Sequence, residues 1–180
     1  DLHLPISPPL ELQALPDPYN YASRAQNNIE YPMDVSYYRG MYYLYWGPVP
    51  SLMLTVLSNK LLSMVLDRHL AIMFLFGLLF YSVIFIVRYW VRYNQNLPSW
   101  LIAFCILAVG LAFPTLLLLR NPRIYEAAVL GCQFFFIGGC YWAFEAMTEK
   151  GARQRWKLLI AGLHWALAIG TRIVIAPAIG

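Results

Sequence analysis

Residues 69–87 read HLAIMFLFGLLFYSVIFIV, nineteen positions without an Asp, Glu, Lys or Arg. A helix rises about 1.5 Å per residue, so about 20 apolar residues cross a hydrocarbon core about 30 Å thick. The runs 97–119 and 127–144 are equally free of charge. A fourth begins at Leu158 and reaches the last residue with one interruption, Arg172. The fold class these runs predict is all-α integral membrane: a polytopic helical bundle with about four spans, near 69–90, 97–119, 124–147 and 157–180.

Composition agrees. Of 180 residues, 60% are hydrophobic and 12% charged, half the charge of an average soluble domain, which is about 25%. In such a chain the net charge of +4 points to no nucleic-acid partner; its distribution matters more. Arg88 and Arg92 fall in one loop, and Lys150, Arg153, Arg155 and Lys157 in another. The spans put both loops on one side, opposite the short 120–123 turn with Arg120 and Arg123. By the excess of Lys and Arg in cytoplasmic loops, the six-charge side is expected to be cytoplasmic. The expected location is then the plasma (inner) membrane, multi-pass, with the N-terminal loop extracytoplasmic.

That loop, residues 1–50, holds six of the twelve prolines before residue 47. Proline fixes φ and removes a donor, so an irregular, hydrated segment is expected. Loops this long without regular structure are usually functional. Residues 51–67 follow. Ser51, Thr55, Ser58, Asn59 and Ser63 share one helical face with Leu, Met and Val opposite, the pattern of an amphipathic helix lying at the membrane interface. The transmembrane region occupies 68–180. The chain lacks an initiating Met and stops within a hydrophobic segment, so it reads as a stretch of a longer protein with further spans on either side.

Candidate chemistry gathers at the outer face. Asp17, Asp34, Arg39, Arg120, Arg123, Glu126 and Arg172 all belong there in this topology. Arg172 stands about 22 Å along the helix from Lys157, in the outer half of the bilayer, where an ionisable group is costly and often functional. A lipid-anchored phosphate would suit its guanidinium; snorkelling to headgroups or pairing with Glu126 is the structural alternative. Glu126 also complements the dipole at the start of its helix. A general base needs a carboxylate at the membrane surface, which selects Asp34 and Asp17, against the ordinary use of Asp in turns near proline.

The stretch 37–46 carries six aromatic rings in ten positions, among them Tyr38, Tyr43 and Trp46, with Arg39 between. Such rings form interfacial belts, and the same residue types stack on sugars. His164, in the inner half of the fourth span, reads as a hydrogen-bonded packing histidine. His3 and His69 offer no partner spacing. Cys105, Cys132 and Cys140 lie inside spans and fit neither a disulfide framework nor a metal site.

The order of these motifs is informative. LPDPYN, then DVSYYRGMYYLYWGPVPSL, an interfacial helix and a span, then NPRIYEAAVLGCQFFFIGGCYW and LLIAGLHWALAIGTRIVIAPA, resembles bacterial membrane proteins of the GT-C glycosyltransferase type, the superfamily of the protein mannosyltransferases. The resemblance covers nearly the whole chain. The YYxYxGPxP turn and the G-(T/S)-R within a span carry it together.

It implies transfer of a sugar from a polyprenyl-phosphate donor to a glycan, lipid or protein acceptor at the outer face of the lipid bilayer. Asp34 and, second, Asp17 would be catalytic carboxylates. Arg172, Glu126, Arg39, Tyr38, Tyr43 and Trp46 would bind substrate. No metal ligands and no cofactor are implied, and a divalent-metal requirement stays open. In that family the acidic site follows the first span directly, a junction that would lie upstream of Asp1. Two other classes remain: a transporter or flippase of lipid-linked substrates, and a non-catalytic membrane assembly subunit.

Overall fold

The computed structural model describes residues 6–30, 32, 35–44, 47–54, 66–111 and 124–179. The protein divides into two compact units, Asp1–Trp46 and Gly47–Gly180, and is mostly helical.

The first unit holds α1 (Leu10–Gln13), α2 (Tyr21–Gln26), β1 (Val35–Tyr38) and β2 (Met41–Leu44). Where proline content predicts irregular chain, the structure has a two-stranded antiparallel hairpin with Tyr37 opposite Tyr42 and Tyr38 opposite Met41. The two-residue turn explains it. Arg39 and Gly40 have φ of 48° and 79°, and positive φ at both central positions matches the right-handed twist of the strands. Side chains alternate across a strand. Tyr37 and Tyr42 are therefore buried with Leu12, and Leu15, Ile29 and Val35 pack on them. Asn20 caps α2 by accepting from the amide of Ala22 at 2.9 Å.

The second unit contains α3 (Val49–Leu54), α4 (Asp67–Tyr93), α5 (Ser99–Gly110), α6 (Ile124–Ala146), α7 (Ala152–Thr171), a 3-10 turn at Ile173–Ile175 and α8 (Ala176–Ile179). Two of these, α4 and α6, are long and apolar enough to cross a membrane. The described part of the second expected span ends at Leu111 and contains the 12-residue α5, about 18 Å long; positions 112–119 lie outside the described residues. The fourth departs from expectation at both ends. Helix α7 starts at Ala152 rather than near 157 and stops at Thr171, so 157–180 is not one continuous helix. Most of the expected interfacial helix also lies outside the described residues, with only Val49–Leu54 seen as helical.

Helices α4, α6 and α7 form the core. A five-residue turn, with Gly151 at φ 67°, reverses the chain between α6 and α7, making them antiparallel neighbours. On α4 the buried stripe is Leu70, Ala71, Phe74, Leu75 and Leu78, while Ile72, Met73, Phe76 and Phe80 point outward and stay exposed. Glycines set the close approach, as small residues do between membrane helices. A methyl on Gly138 would come within 2.5 Å of the His164 ring, and one on Gly77 equally near Phe134. At the start of α4, His69 Nδ1 accepts from the amide of Leu66 at 3.0 Å, a capping role that satisfies an otherwise orphan backbone donor.

Candidate functional site

The two stretches that carry the family resemblance meet at one end of the bundle. The amide of Gly47 donates to the carbonyl of Thr171 at 3.1 Å. A side chain at 47 would collide with the backbone of Gly170, and one at Gly170 would press on Val49. Neither approach is open to a larger residue. Thr171 is fully buried, and its hydroxyl donates to the Leu167 carbonyl at 2.8 Å, a back-bond of the kind that bends helices.

The helix ends there. Arg172 turns extended (φ −148°, ψ 114°) while its amide still bonds Ala168. It is the C-cap of α7 and not a residue within a continuous helix. Its guanidinium carbon lies 5.0 Å from the centroid of the Tyr125 ring, a cation–π distance, and Glu126 follows Tyr125 in the first turn of α6. Arg172, Tyr125 and Glu126 thus occupy one end of the bundle, and Tyr125 is a member that the sequence reading did not single out. A Tyr at an expected interface gives no local cue that separates it from the rest of an aromatic belt.

In the first unit, Asp17 accepts from the amide of Tyr19 at 2.9 Å in an exposed turn. That is the local turn chemistry of aspartate. Tyr38 and Tyr43 lie on the open face of the hairpin, their rings 6.3 Å apart, with the Arg39 guanidinium 5.1 Å from the Tyr38 ring. Strand alternation separates them from Tyr37 and Tyr42, which are core. The Tyr19 hydroxyl donates to the Tyr37 carbonyl at 2.9 Å and ties the turn to β1. Asp34 and Trp46, like Arg120 and Arg123, lie outside the described residues.

The opposite end of the bundle carries an ion network that sequence reading passed over. Glu145, buried near the end of α6, pairs with Arg92 at 3.5 Å and with Lys157 at 3.2 Å. Lys157 also reaches Glu149 at 3.0 Å. This hydrogen bond and the positive charge of Lys157 hold the Glu149 carboxyl below the usual glutamate range. Arg92 further donates to the Phe144 carbonyl at 3.3 Å and stacks 4.6 Å from the Phe144 ring. The available signal was Glu145 itself, a carboxylate adjoining an apolar run with basic residues in both neighbouring loops.

Between the two ends, α4, α6 and α7 are joined by a hydrogen-bond chain. Trp142 Nε1 donates to the Tyr81 hydroxyl at 3.2 Å, which lies 3.1 Å from His164 Nε2. His164 Nδ1 is 2.9 Å from the Ile160 carbonyl. A carbonyl only accepts, so Nδ1 carries a proton, and in the neutral ring Nε2 is then the acceptor for Tyr81. Trp142 Nε1, the Tyr81 hydroxyl and both ring nitrogens of His164 thus each have a partner. His164 is the hydrogen-bonded packing histidine expected, and Gly138 makes the room for it.

Among the described residues no group of three or more His, Cys, Asp or Glu is placed to hold a metal ion. No family model, no curated protein and no solved structure matches the chain.

Proposed function

We propose that the chain is part of a multi-spanning membrane glycosyltransferase of the GT-C type, moving a sugar from a polyprenyl-phosphate donor to an acceptor on the extracytoplasmic face. The observation that supports this reading is the contact between Gly47 and Thr171. It joins the Gly-Pro-x-Pro turn to the Gly-Thr-Arg stretch and sets Arg172 at the end of α7, beside Tyr125 and Glu126. The topology that accompanies it has about four spans, with the Arg92–Glu145–Lys157 end cytoplasmic and the Arg172 end outside.

In this mechanism the transfer is a single displacement with inversion. Asp34 takes the proton of an acceptor hydroxyl, whose oxygen bonds to the anomeric carbon as the bond from that carbon to the phosphate oxygen breaks. Polyprenyl phosphate leaves with the electron pair. Arg172 holds that phosphate and offsets the charge that grows on it, while Tyr38 and Tyr43 offer faces for sugar or acceptor.

The test is sugar transfer from a polyprenyl-phosphate donor in membrane vesicles carrying the full-length protein. Arg172→Gln is expected to lower the rate at least a hundredfold, and Asp34→Asn to do the same at unchanged expression. Normal transfer by Arg172→Gln removes the phosphate role; normal transfer by Asp34→Asn removes the base.

A second reading starts from the break at the end of α7. Discontinuous helices also build the substrate sites of transporters, near the bilayer midplane. Here the break lies about 22 Å along the helix from Lys157, toward one surface. Movement of a lipid-linked sugar across proteoliposomes without transfer would select the transporter.

A further inference from the structure

Packing against α6 sorts the residues of α7 into two faces. Lys157, Ala161, His164 and Ala168 turn inward: Lys157 reaches Glu145 at 3.2 Å, His164 bonds Tyr81, and both alanines are buried. A helix turns about 100° per residue, so the position two before each of these points nearly the opposite way. Those positions are Arg155, Leu159, Gly162 and Ala166, and all four are exposed. From Arg155 to Ala166 is about 17 Å along the axis, close to one leaflet's share, about 15 Å, of the hydrocarbon core.

Beyond Arg155 this face is a shallow apolar channel. Leu158 and Leu163, both exposed, flank Gly162, and a methyl on Gly162 would meet nothing within 4 Å. A cation stands at the head of the channel. Among the described residues no carboxylate pairs with Arg155: Glu145 and Glu149 are bonded to Arg92 and Lys157, and the first turn of α7 holds no acid. Lys150 is exposed in the turn just before. Trp156, next to Arg155, is exposed as well and carries the amphipathic ring that gathers at headgroup level.

We propose that this face of α7 holds one anionic phospholipid, its phosphate bonded by the Arg155 guanidinium and an acyl chain lying along Leu159, Gly162 and Ala166. Charge selects the occupant. A second copy docked on the same face about a two-fold axis along the membrane normal would set Arg155 against Arg155, and a zwitterionic lipid would place its own cation beside the guanidinium. The proposal rests on the membrane part of the function proposed above, α6 crossing the bilayer with α7 beside it, and not on sugar transfer. The occupant is distinct from the sugar donor, whose phosphate is assigned to Arg172 at the opposite end of α7.

The test is native mass spectrometry of the full chain in detergent with equal amounts of dioleoyl phosphatidylglycerol and dioleoyl phosphatidylcholine. One phosphatidylglycerol is expected to be retained in preference. Arg155→Gln should bring the ratio of the two lipids down about fivefold, the effect of one basic residue near an anionic surface. Gly162→Trp fills the channel from a position with open space beside it, and should remove the bound lipid at an unchanged midpoint of thermal unfolding. Arg155→Gln alters only a surface side chain and decides the matter should Gly162→Trp unfold.

Equal retention of both lipids by the unaltered chain, an unchanged ratio in Arg155→Gln, or an unchanged adduct in a folded Gly162→Trp overturns the proposal. A dimer lost in Gly162→Trp with the lipid unchanged also overturns it and gives the face to a second copy. Release of the protein from membranes by alkaline carbonate defeats the membrane reading and the proposal with it, a separate outcome from failed lipid selection in a protein that stays embedded.

Discussion

Gly47 donates its amide to the carbonyl of Thr171 at 3.1 Å, across 124 positions of sequence. The contact satisfies one of the last carbonyls of α7, which a helix end otherwise leaves without a partner. It also fixes where Arg172 leaves the helix. Gly47→Ala should therefore act on both stability and site. Its methyl meets the Gly170 backbone, which cannot swing aside as a side chain can. The expected cost is about 1–3 kcal/mol, the range for overpacked positions, read as a lower midpoint of thermal unfolding in detergent. Pro48→Ala, which keeps Gly47, serves as the comparison and should cost less.

Gly138 and His164 should show strong coupling in a double-mutant cycle. Gly138→Ala alone drives a methyl into the imidazole, at about 1–3 kcal/mol. His164→Ala alone leaves the part-buried Tyr81 hydroxyl without this partner, at a penalty of up to about 1–3 kcal/mol. With His164 already removed, the methyl at 138 keeps only its contact with the Tyr81 ring, at 3.0 Å, so the double variant should be more stable than the two costs added together. Simple additivity within about 0.5 kcal/mol would show that these residues do not press on one another.

Replacing Glu145 tests the ion network. Glu145→Gln keeps the shape but removes the charge that serves Arg92 and Lys157 together. The expected loss is about 1.5–3 kcal/mol, the worth of hydrogen bonds to charged groups. Lys157→Met in the same background should then cost less than it does alone, because its principal buried partner is already neutral. Chemical unfolding of the four chains measures both effects.

The Glu149–Lys157 pair gives a pH dependence with a definite sign. The folded carboxyl titrates below the usual glutamate range because Lys157 donates to it and attracts it. The unfolded chain therefore binds the proton more readily, so the pair stabilises the fold above the ordinary glutamate pKa of about 4.3. That contribution fades as pH falls through the folded value. Glu149→Gln should melt earlier than the unaltered chain at pH 7 and together with it near pH 3. A gap that persists at pH 3 would show that the carboxylate charge is not what stabilises the pair.

The candidate site was legible in the sequence to different depths. Arg172 stood out because an ionisable group in an apolar run is costly, yet its place at a helix break did not. The break depends on the buried Thr171 back-bond and on Gly47 arriving from far away in sequence. The tyrosines could be read as a belt or a platform, but not sorted. Alternation needs a known register, and the prolines argued against strands until the Arg39-Gly40 turn paired them. Asp17 shows the reverse case, since aspartate beside proline was already recognisable as turn chemistry. Glu145 went unnoticed because its meaning lies in Arg92, 53 residues away.

By itself the sequence determined that α4 and α6 are long enough and apolar enough to cross a membrane, because transfer of side chains from water is nearly additive along a helix and needs no partners. Tertiary structure alone decided which polar groups meet. Tyr81 lies 61 residues from Trp142 and 83 from His164, and their chain closes only when three helices adopt one rotation and one depth. Glycines at 77, 131 and 138 select that arrangement by letting aromatic rings of the facing helix enter. Composition counts those rings and glycines; only packing sets each one against its partner.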